Sequence, residues 1–497
     1  MKRTKTFEEY LKSVLPEEQI NLFFKSCEKP PLKSIRFYER SSNKAHAGFK
    51  GDTYRVIDTV KWEKKGAILS EDSKPSRSLD YLKGDFYIQD IGSMFAISLL
   101  KKYVEGYSGQ YSRPFNSFQS LNKKDRQKDE ESYSYILDYA ASPGGKTTQV
   151  ADDFKQSIVV SNEIIKSRIP ALLCNIKKSK LLNIIVTGQD SSFFHQHDLF
   201  FDIIVADLPC TGEGLIRKKK LLIKNWSYST VLFNSKRQKK ILYNIYDLLK
   251  EDGFFVYSTC TFSREENEEN VELLESLGFE LLESKRLWPH IDACSGAFTA
   301  VLKNKNKKKK ISINIESDKS DSRDIKIDSD AGNSINNKTK INDIAESLDF
   351  TQNFKHNLIW HTTENCLKLL SREPYFDIEK IARSGYLYQK EDLVFLFSKP
   401  SIPKFLFDSA ISFGQQMASI EKFGLIPAFE SIDYFSGDYM ITVDDEQICK
   451  LTKGEDLKLD ENFKYYMGKF LSVLKDGSPL FLVKVSPNGV KNLTPGL

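Results

Sequence analysis

From Tyr135 onward the chain alternates in a way few folds can accommodate. Five short apolar runs, YILDYAA (135–141), SIVVSNE (157–163), NIIVTGQD (183–190), FDIIVADLP (201–209) and GFFVYSTC (253–260), are separated by stretches of helical character such as 164–181 and 231–250. Runs that are apolar throughout are strands buried on both faces, and strands separated by helices pair in parallel. The expected core is a parallel α/β sheet with helices on both faces. Functional groups in such sheets gather at the carboxyl ends of the strands. Those ends hold Asp138, Glu163, Asp190, Asp207 and Cys260, so one crevice is expected to collect all five.

The flanking segments read differently. Within residues 1–60, Phe7, Leu11, Val14 and Leu15 recur at helical spacing, Pro16 interrupts, and Ile20, Leu22, Phe23 and Phe24 follow, which predicts a mostly helical lead-in. Asp85–Leu100 ends in an apolar helical stripe, closing a lead-in domain over 1–104. Residues 105–134 are polar and read as an inserted exposed loop. The strand-and-helix core is expected to span 135–302. Residues 303–345 open with KNKNKKKK and continue in Ser, Asp, Asn and Lys, the composition of a solvated linker. Aromatic and aliphatic content returns over 346–497, which predicts a separate C-terminal domain.

Length and composition bound the rest. At 497 residues with 40% hydrophobic content, the chain exceeds one ordinary core but is far from disordered. A formal net charge of +5 is mildly basic and compatible with a nucleic-acid partner. The seven cysteines, at 27, 174, 210, 260, 294, 366 and 449, include no CxxC pair, which argues against a disulfide framework and a zinc knuckle. The histidines are scattered, His195 and His197 read as part of a surface loop, and no metal constellation is visible. The charged start MKRTKTFEEYLKSVL lacks an apolar leader, and no stretch approaches the ~20 apolar residues of a membrane span. The expectation is a soluble cytoplasmic protein.

Four motifs carry chemistry. In Asp138-Tyr-Ala140-Ala141-Ser142-Pro143-Gly144-Gly145-Lys146 a strand enters a glycine pair and then a helix, whose free N–H groups can face a ligand. A phosphate-binding P-loop would need a glycine five positions before Gly145, where Ala140 stands. Glu163 lies 19 positions after Gly144, near the offset at which a doubly wound sheet places an acid on a ribose diol. Asp190 is suited either to an adenine amino group or to capping a helix. Asp207-Leu-Pro-Cys210-Thr-Gly-Glu-Gly and Ser258-Thr-Cys260-Thr each put a cysteine just beyond a buried strand.

Together, DYAASPGGKTTQ, DLPCTGEG and YSTCTFSREENEENV resemble, in order, signatures of the Nol–Nop–Sun family of RNA (cytosine-5) methyltransferases. PPLKSIRF (30–37) and YIQDIGSMFA (87–96) are similar to the family's upstream elements, and LWPHIDACSGAFTA (287–300) to the end of its catalytic domain. The extension Glu213-Gly-Leu-Ile-Arg217-Lys218 resembles the bacterial small-subunit ribosomal RNA branch, as do YYMGKFL (465–471) and SPLFLVKVSPNGVKN (478–492). The chain departs from that branch in its two polar stretches and in ending Pro-Gly-Leu rather than on basic residues.

The resemblance implies a Rossmann-like class I methyltransferase domain with a seven-stranded sheet and a C-terminal RNA-binding, PUA-like α+β region. It implies S-adenosylmethionine across residues 140–146, Glu163 on its ribose, Asp190 near its adenine, and Asp207 beside the methionine end and the target base. Cys260 would add to carbon 6 of cytosine, Cys210 would promote its release, and Lys146 would orient the base or Asp207. Arg217, Lys218, Lys219 and Lys220 would position the RNA backbone. The implied protein is a monomer with small-subunit ribosomal RNA as its partner. The alternatives are a tRNA cytosine-5 methyltransferase, a P-loop NTPase built on Gly145-Lys146-Thr147, and a non-catalytic RNA-binding assembly factor.

Overall fold

The alternation folds as a twisted sheet covered on both faces in the computed structural model, which describes residues 6–105, 133–197, 200–218, 221–306, 358–360, 363–399, 401–422, 424–458 and 461–494. The polar stretch 105–134 and the linker 303–345 lie almost wholly outside the described residues.

The lead-in is only partly helical. Helices Phe7–Leu11 and Glu17–Glu28 are followed by strands β1 (Ser34–Phe37), β2 (Val56–Val60), β3 (Glu63–Leu69) and β4 (Phe86–Tyr87), an antiparallel sheet in the order β2-β3-β1-β4. The helical expectation for residues 1–60 is therefore corrected beyond Glu28. β2 buries only its end residues, and its exposed middle conceals the strand from an apolar-run reading. The fully buried Arg36 of β1 ties this sheet to the core, its Nε donating to Gln89 Oε1 and its Nη2 to Thr148 Oγ1, both at 2.9 Å.

The central sheet takes β5 (Tyr135–Asp138), β6 (Ile158–Asn162), β7 (Ile184–Thr187), β8 (Phe201–Asp207), β9 (Leu249–Thr259), β10 (Phe279–Leu287) and β11 (Ala297–Asn304). β5 to β9 pair in parallel, and β9-β11-β10 are antiparallel. β11 runs to Asn304, two residues past the expected domain end, with each of its residues buried. One face packs on helices Ile91–Glu105, Gly145–Asp153 and Ile169–Ser179 through Met94, Val150, Leu172 and Ile176. The other carries Phe194, Leu242, Ile245, Val271 and Leu274 from helices Ser191–Gln196, Tyr228–Ile245 and Glu268–Ser276.

The C-terminal region contains β12 (Leu358–Trp360) paired with β15 (Ser401–Pro403), then two four-stranded sheets. One joins β13 (Tyr386–Lys390), β14 (Leu393–Phe397), β17 (Gln415–Glu421) and β18 (Gly424–Pro427). The other joins β19 (Met440–Thr442), β20 (Phe470–Lys475), β21 (Ser478–Ser486) and β22 (Gly489–Asn492).

The remaining strand, β16 (Ser412–Phe413), pairs antiparallel with β7, so the central sheet has eight strands among the described residues and not the seven expected. Phe395, Phe397, Leu406 and Phe413 share one core with Ile185, Phe194 and Phe201. The expected separate domain is thus docked on the core, covering a sheet edge whose unpaired N–H and C=O groups would otherwise face solvent.

Candidate active site

Chain order reverses around β5. It runs outward through β6 and β7 on one side, then returns to β8 and β9 on the other. Ligands of open α/β sheets bind at this switch, beyond the strand ends. A cavity of about 310 Å³ opens there, lined by Asp138, residues 140–143, Gly145, Lys146, Asp207 and Cys260, with Asp90, Lys218 and Gly296 among the opposing residues.

The wall from Ala140 to Gly145 is a turn into the helix Gly145–Asp153. Its N-cap, Gly144, has φ of 104°, a left-handed conformation that favours glycine. Asp138 is buried, and its Oδ2 accepts the Thr147 hydroxyl at 2.5 Å. Its Oδ1 has no hydrogen-bond partner among the described residues. Burial pushes the Asp138 carboxyl up to about 7, against the opposing effect of the Thr147 hydroxyl.

At the ends of β8 and β9 the candidate reacting groups converge. Lys146 Nζ is 2.8 Å from Asp207 Oδ2, and Ser258 Oγ donates to Asp207 Oδ1 at 2.8 Å. Burial pulls the Lys146 ammonium down, but the Asp207 carboxylate outweighs it and holds Lys146 above the ordinary lysine range. The sulfurs of Cys210 and Cys260 are 3.3 Å apart. The hydrogen bond with Cys260, reinforced by burial, raises the Cys210 thiol well above its ordinary value.

Both cysteine loops are held from behind by buried acids that sequence reading missed. Glu213 accepts from Trp226 Nε1 at 2.6 Å, Phe262 N at 2.7 Å, and the hydroxyls of Thr261 and Ser263 at 2.8 Å. Glu266 accepts Thr211 N at 2.9 Å and Gln238 Nε2 at 3.0 Å, and burial pushes it up to about 7. Asn267 accepts the Thr259 hydroxyl at 2.6 Å and donates to Thr261 O at 3.0 Å. Gly214 N donates to Cys260 O at 2.8 Å, and a side chain on Gly214 would meet Gly296 O at 2.5 Å. The only sequence signal for these acids was their place inside TGEG and REENEEN.

Other expected residues lie elsewhere. Glu163 and Asp190 are not in the cavity lining. Buried Glu163 accepts Ile165 N at 2.9 Å and Ser142 N at 3.3 Å, with Arg168 Nη1 also at 3.3 Å. Asp190 caps the helix Ser191–Gln196, and the Ser192 N–H bond lowers its carboxyl below the ordinary range.

Arg217 is engaged within the protein. Its guanidinium donates to the carbonyls of Lys29, Pro30 and Cys294 at 3.2, 2.7 and 3.1 Å, stitching the lead-in to the core. Lys218 lines the cavity, 3.7 Å from Asp90 Oδ2, and Lys219 and Lys220 lie outside the described residues. His195 is in a helix rather than a surface loop, and the His197 ring stacks on Phe405 at 4.5 Å because the C-terminal region covers it. Among the described residues there is no metal-holding His/Cys/Asp/Glu group, and no helix is long and apolar enough to cross a membrane.

Residues 125–303 match the family described as 16S rRNA methyltransferase RsmB/F, and residues 4–91 match the N-terminal domain of 16S rRNA methyltransferase RsmF. The ribosomal RNA small subunit methyltransferase F of Psychromonas ingrahamii is 28% identical over 323 residues, covering 60% of this chain and 62% of that protein. Its namesake from Vibrio campbellii is 32% identical over 280 residues, covering 53% and 51%. The chain therefore matches between half and two thirds of these relatives' length. A methyltransferase homolog protein from Pyrococcus horikoshii superposes with a TM-score of 0.46 at 23% identity, covering 58% of this chain and 92% of that one. The two matched stretches contain the lead-in sheet and most of the central sheet with its paired thiols, and the chain belongs to the RsmB/F family of methyltransferases.

Proposed function

We propose that the protein methylates carbon 5 of a cytosine in small-subunit ribosomal RNA, using S-adenosylmethionine as methyl donor. The observation that carries this reading is the pair of thiols 3.3 Å apart at the ends of adjacent parallel strands, with Cys260 on the wall that Lys146 and Asp207 also line. The relatives' names supply the ribosomal substrate, and the cytosine chemistry comes from what two thiols and a carboxylate can do.

The crevice fits the donor. Its volume lies at the lower end of the ~300–1,000 Å³ of small-molecule sites. Its glycine turn exposes backbone, and the unpartnered Asp138 Oδ1 is a buried acceptor or, protonated, a donor. Residues 140–146 and Asp207 would hold the donor, with Glu163 on the ribose and Asp190 at the adenine. When bound, S-adenosylmethionine supplies a methyl group on a cationic sulfur.

Carbon 5 of cytosine is a poor nucleophile until a thiolate adds at carbon 6. Cys260 forms that sulfur–carbon bond, and the displaced electron pair enriches carbon 5. Asp207, its two oxygens fixed by Lys146 and Ser258, accepts from the amino edge of the ring and, with the Lys146 ammonium beside it, absorbs the charge change as the thiolate adds. Release needs a base for the carbon 5 proton. While Cys260 is free, its hydrogen bond keeps Cys210 protonated. Once Cys260 is bonded to carbon the hydrogen-bond cause is gone while burial remains, and Cys210 gives its own proton to water before it acts as the base. It takes the carbon 5 proton, the carbon 5–carbon 6 double bond re-forms, and Cys260 leaves as thiolate. The target base must be unpaired or flipped to reach these groups.

The test is a denaturing gel after incubation with RNA and S-adenosylmethionine. Cys260→Ala gives no covalent complex and no methylation. Cys210→Ala accumulates a shifted protein–RNA band, and the double variant shows none. A band from Cys260→Ala would exchange the two roles, and full activity in both single variants would end the covalent mechanism. Bisulfite mapping of cellular RNA with and without the gene identifies the substrate, and a lost signal in tRNA alone would replace ribosomal RNA in this reading.

A further inference from the structure

The segment that closes the sheet edge also reaches the loop that follows β7. Ile411 N donates to Val186 O at 2.8 Å and Gly414 N to Ile184 O at 2.9 Å, which sets Ile411 against the end of β7. Just beyond that strand end is Gly188. A methyl group placed on Gly188 would stand 3.2 Å from Ile411 Cδ1, 3.5 Å from Glu163 O and 3.6 Å from Ile169 Cδ1. Ile411 therefore approaches Gly188 from the C-terminal region, while the backbone carbonyl of Glu163 approaches it from the end of β6. Asp190 follows Gly188 by two residues.

Aliphatic surface is left uncovered around these acids. Ile411 is 44% exposed, Ile164 45% and Ile165 40%. Aliphatic side chains left open on neighbouring segments offer a surface on which a flat ligand can pack. A purine suits this combination, since its flat face packs on aliphatic groups while a carboxylate takes its exocyclic amine or the attached ribose hydroxyls. We infer that Ile411 packs on the adenine of S-adenosylmethionine, so that the C-terminal region completes the cofactor site. This rests on the reading of S-adenosylmethionine as the donor. Ile411 lies outside both family-matched stretches, 4–91 and 125–303, so the contact belongs to a part of the chain that neither stretch describes.

The test is titration calorimetry of the full chain with S-adenosylhomocysteine and, separately, adenosine. Packing loss makes Ile411→Ala bind both about three- to tenfold more weakly. Ile411→Asp, which adds a carboxylate beside two others, weakens both by more than Ile411→Ala does. Ile411→Leu stays near wild type. Ile57→Asp, at a residue 49% exposed in the N-terminal sheet, binds as wild type does. Because Ile411 is half open, melting temperatures of its variants stay at the wild-type value, and a fall in Ile411→Leu binding equal to that of Ile411→Asp would overturn the packing argument. Wild-type binding with Ile411→Asp unchanged overturns the inference and leaves the cofactor reading standing. No binding by the wild-type chain overturns both.

Discussion

Replacing Glu213 by Gln, a change of one atom, should loosen the loop that carries Cys260. Glu213 is buried and takes four donors, two on each oxygen: Trp226 Nε1 and Ser263 Oγ on one, Phe262 N and Thr261 Oγ1 on the other. Gln keeps one acceptor oxygen and turns the other into an N–H₂ donor. The hydroxyls of Thr261 and Ser263 can rotate and accept from it. The indole N–H of Trp226 and the backbone N–H of Phe262 cannot, and since they sit on opposite oxygens, either orientation of the amide strands one of them. A stranded buried donor costs about 1–3 kcal/mol, and losing the charge-assisted character of the remaining bonds adds about 1 kcal/mol. The expected loss is about 2–4 kcal/mol, concentrated at residues 261–263. Amide exchange at Phe262 reads it directly, and should accelerate about 30- to 1,000-fold if opening there is local. Covalent capture of RNA by Cys260 should slow in parallel. Unchanged exchange at Phe262 together with an unchanged melting temperature would refute the account of Glu213 as the anchor of this loop.

Glu266→Gln should by contrast be tolerated, because the Thr211 hydroxyl that faces one of its oxygens can reverse and accept while Thr211 N and Gln238 keep the other. Wild-type Glu266 titrates near 7 when folded against an ordinary 4.5, so the folded chain binds the extra proton in that window. The stability it contributes is present below about pH 4.5 and lost as pH rises to about 7; urea unfolding across pH should show a shallower fall in the variant, with the parallel slope of Asp138 remaining. Glu163→Ala should weaken S-adenosylmethionine binding by about 1–3 kcal/mol by calorimetry, and unchanged affinity would remove Glu163 from the site. Lys146→Met leaves Asp207 with Ser258 alone among the partners described, and should cut single-turnover methylation about a hundredfold with RNA affinity little changed.

The features legible in the sequence are those written in contiguous residues. Five apolar runs mark the central parallel strands because those strands are buried on both faces, and the first polar residue after each marks a strand end. Asp138, Asp207 and Cys260 line the crevice for that reason. Glu163 and Asp190 also end strands, on the β6 and β7 side: Glu163 accepts from Ser142 N of the cavity wall and from Ile165 N, and Asp190 caps the next helix. Partners distant in sequence escaped notice. Arg217 reads as a phosphate contact until the carbonyls of Lys29, Pro30 and Cys294 are brought to it. The pairing of Phe413 with Ile185 joins a strand of two residues to a sheet edge across a long polar stretch, with no local pattern to announce it.

The missed acids follow a different logic. A run such as REENEEN suits the exposed face of a helix, yet Glu266, Asn267 and Asn270 are fully buried. On the proposed mechanism the Cys260 loop offers its thiol to a flipped base and must stay open on one side, so it cannot be fixed by apolar packing all round. Hydrogen bonds from its closed side can fix it, and they require acceptors able to take several donors at once. A carboxylate accepts up to four and donates none, which is what the donors gathered around Glu213 demand. The same burial that makes these acids costly leaves Glu266 and Asp138 half-titrated near neutrality, so rigidity at the thiols is bound to a pH-dependent stability.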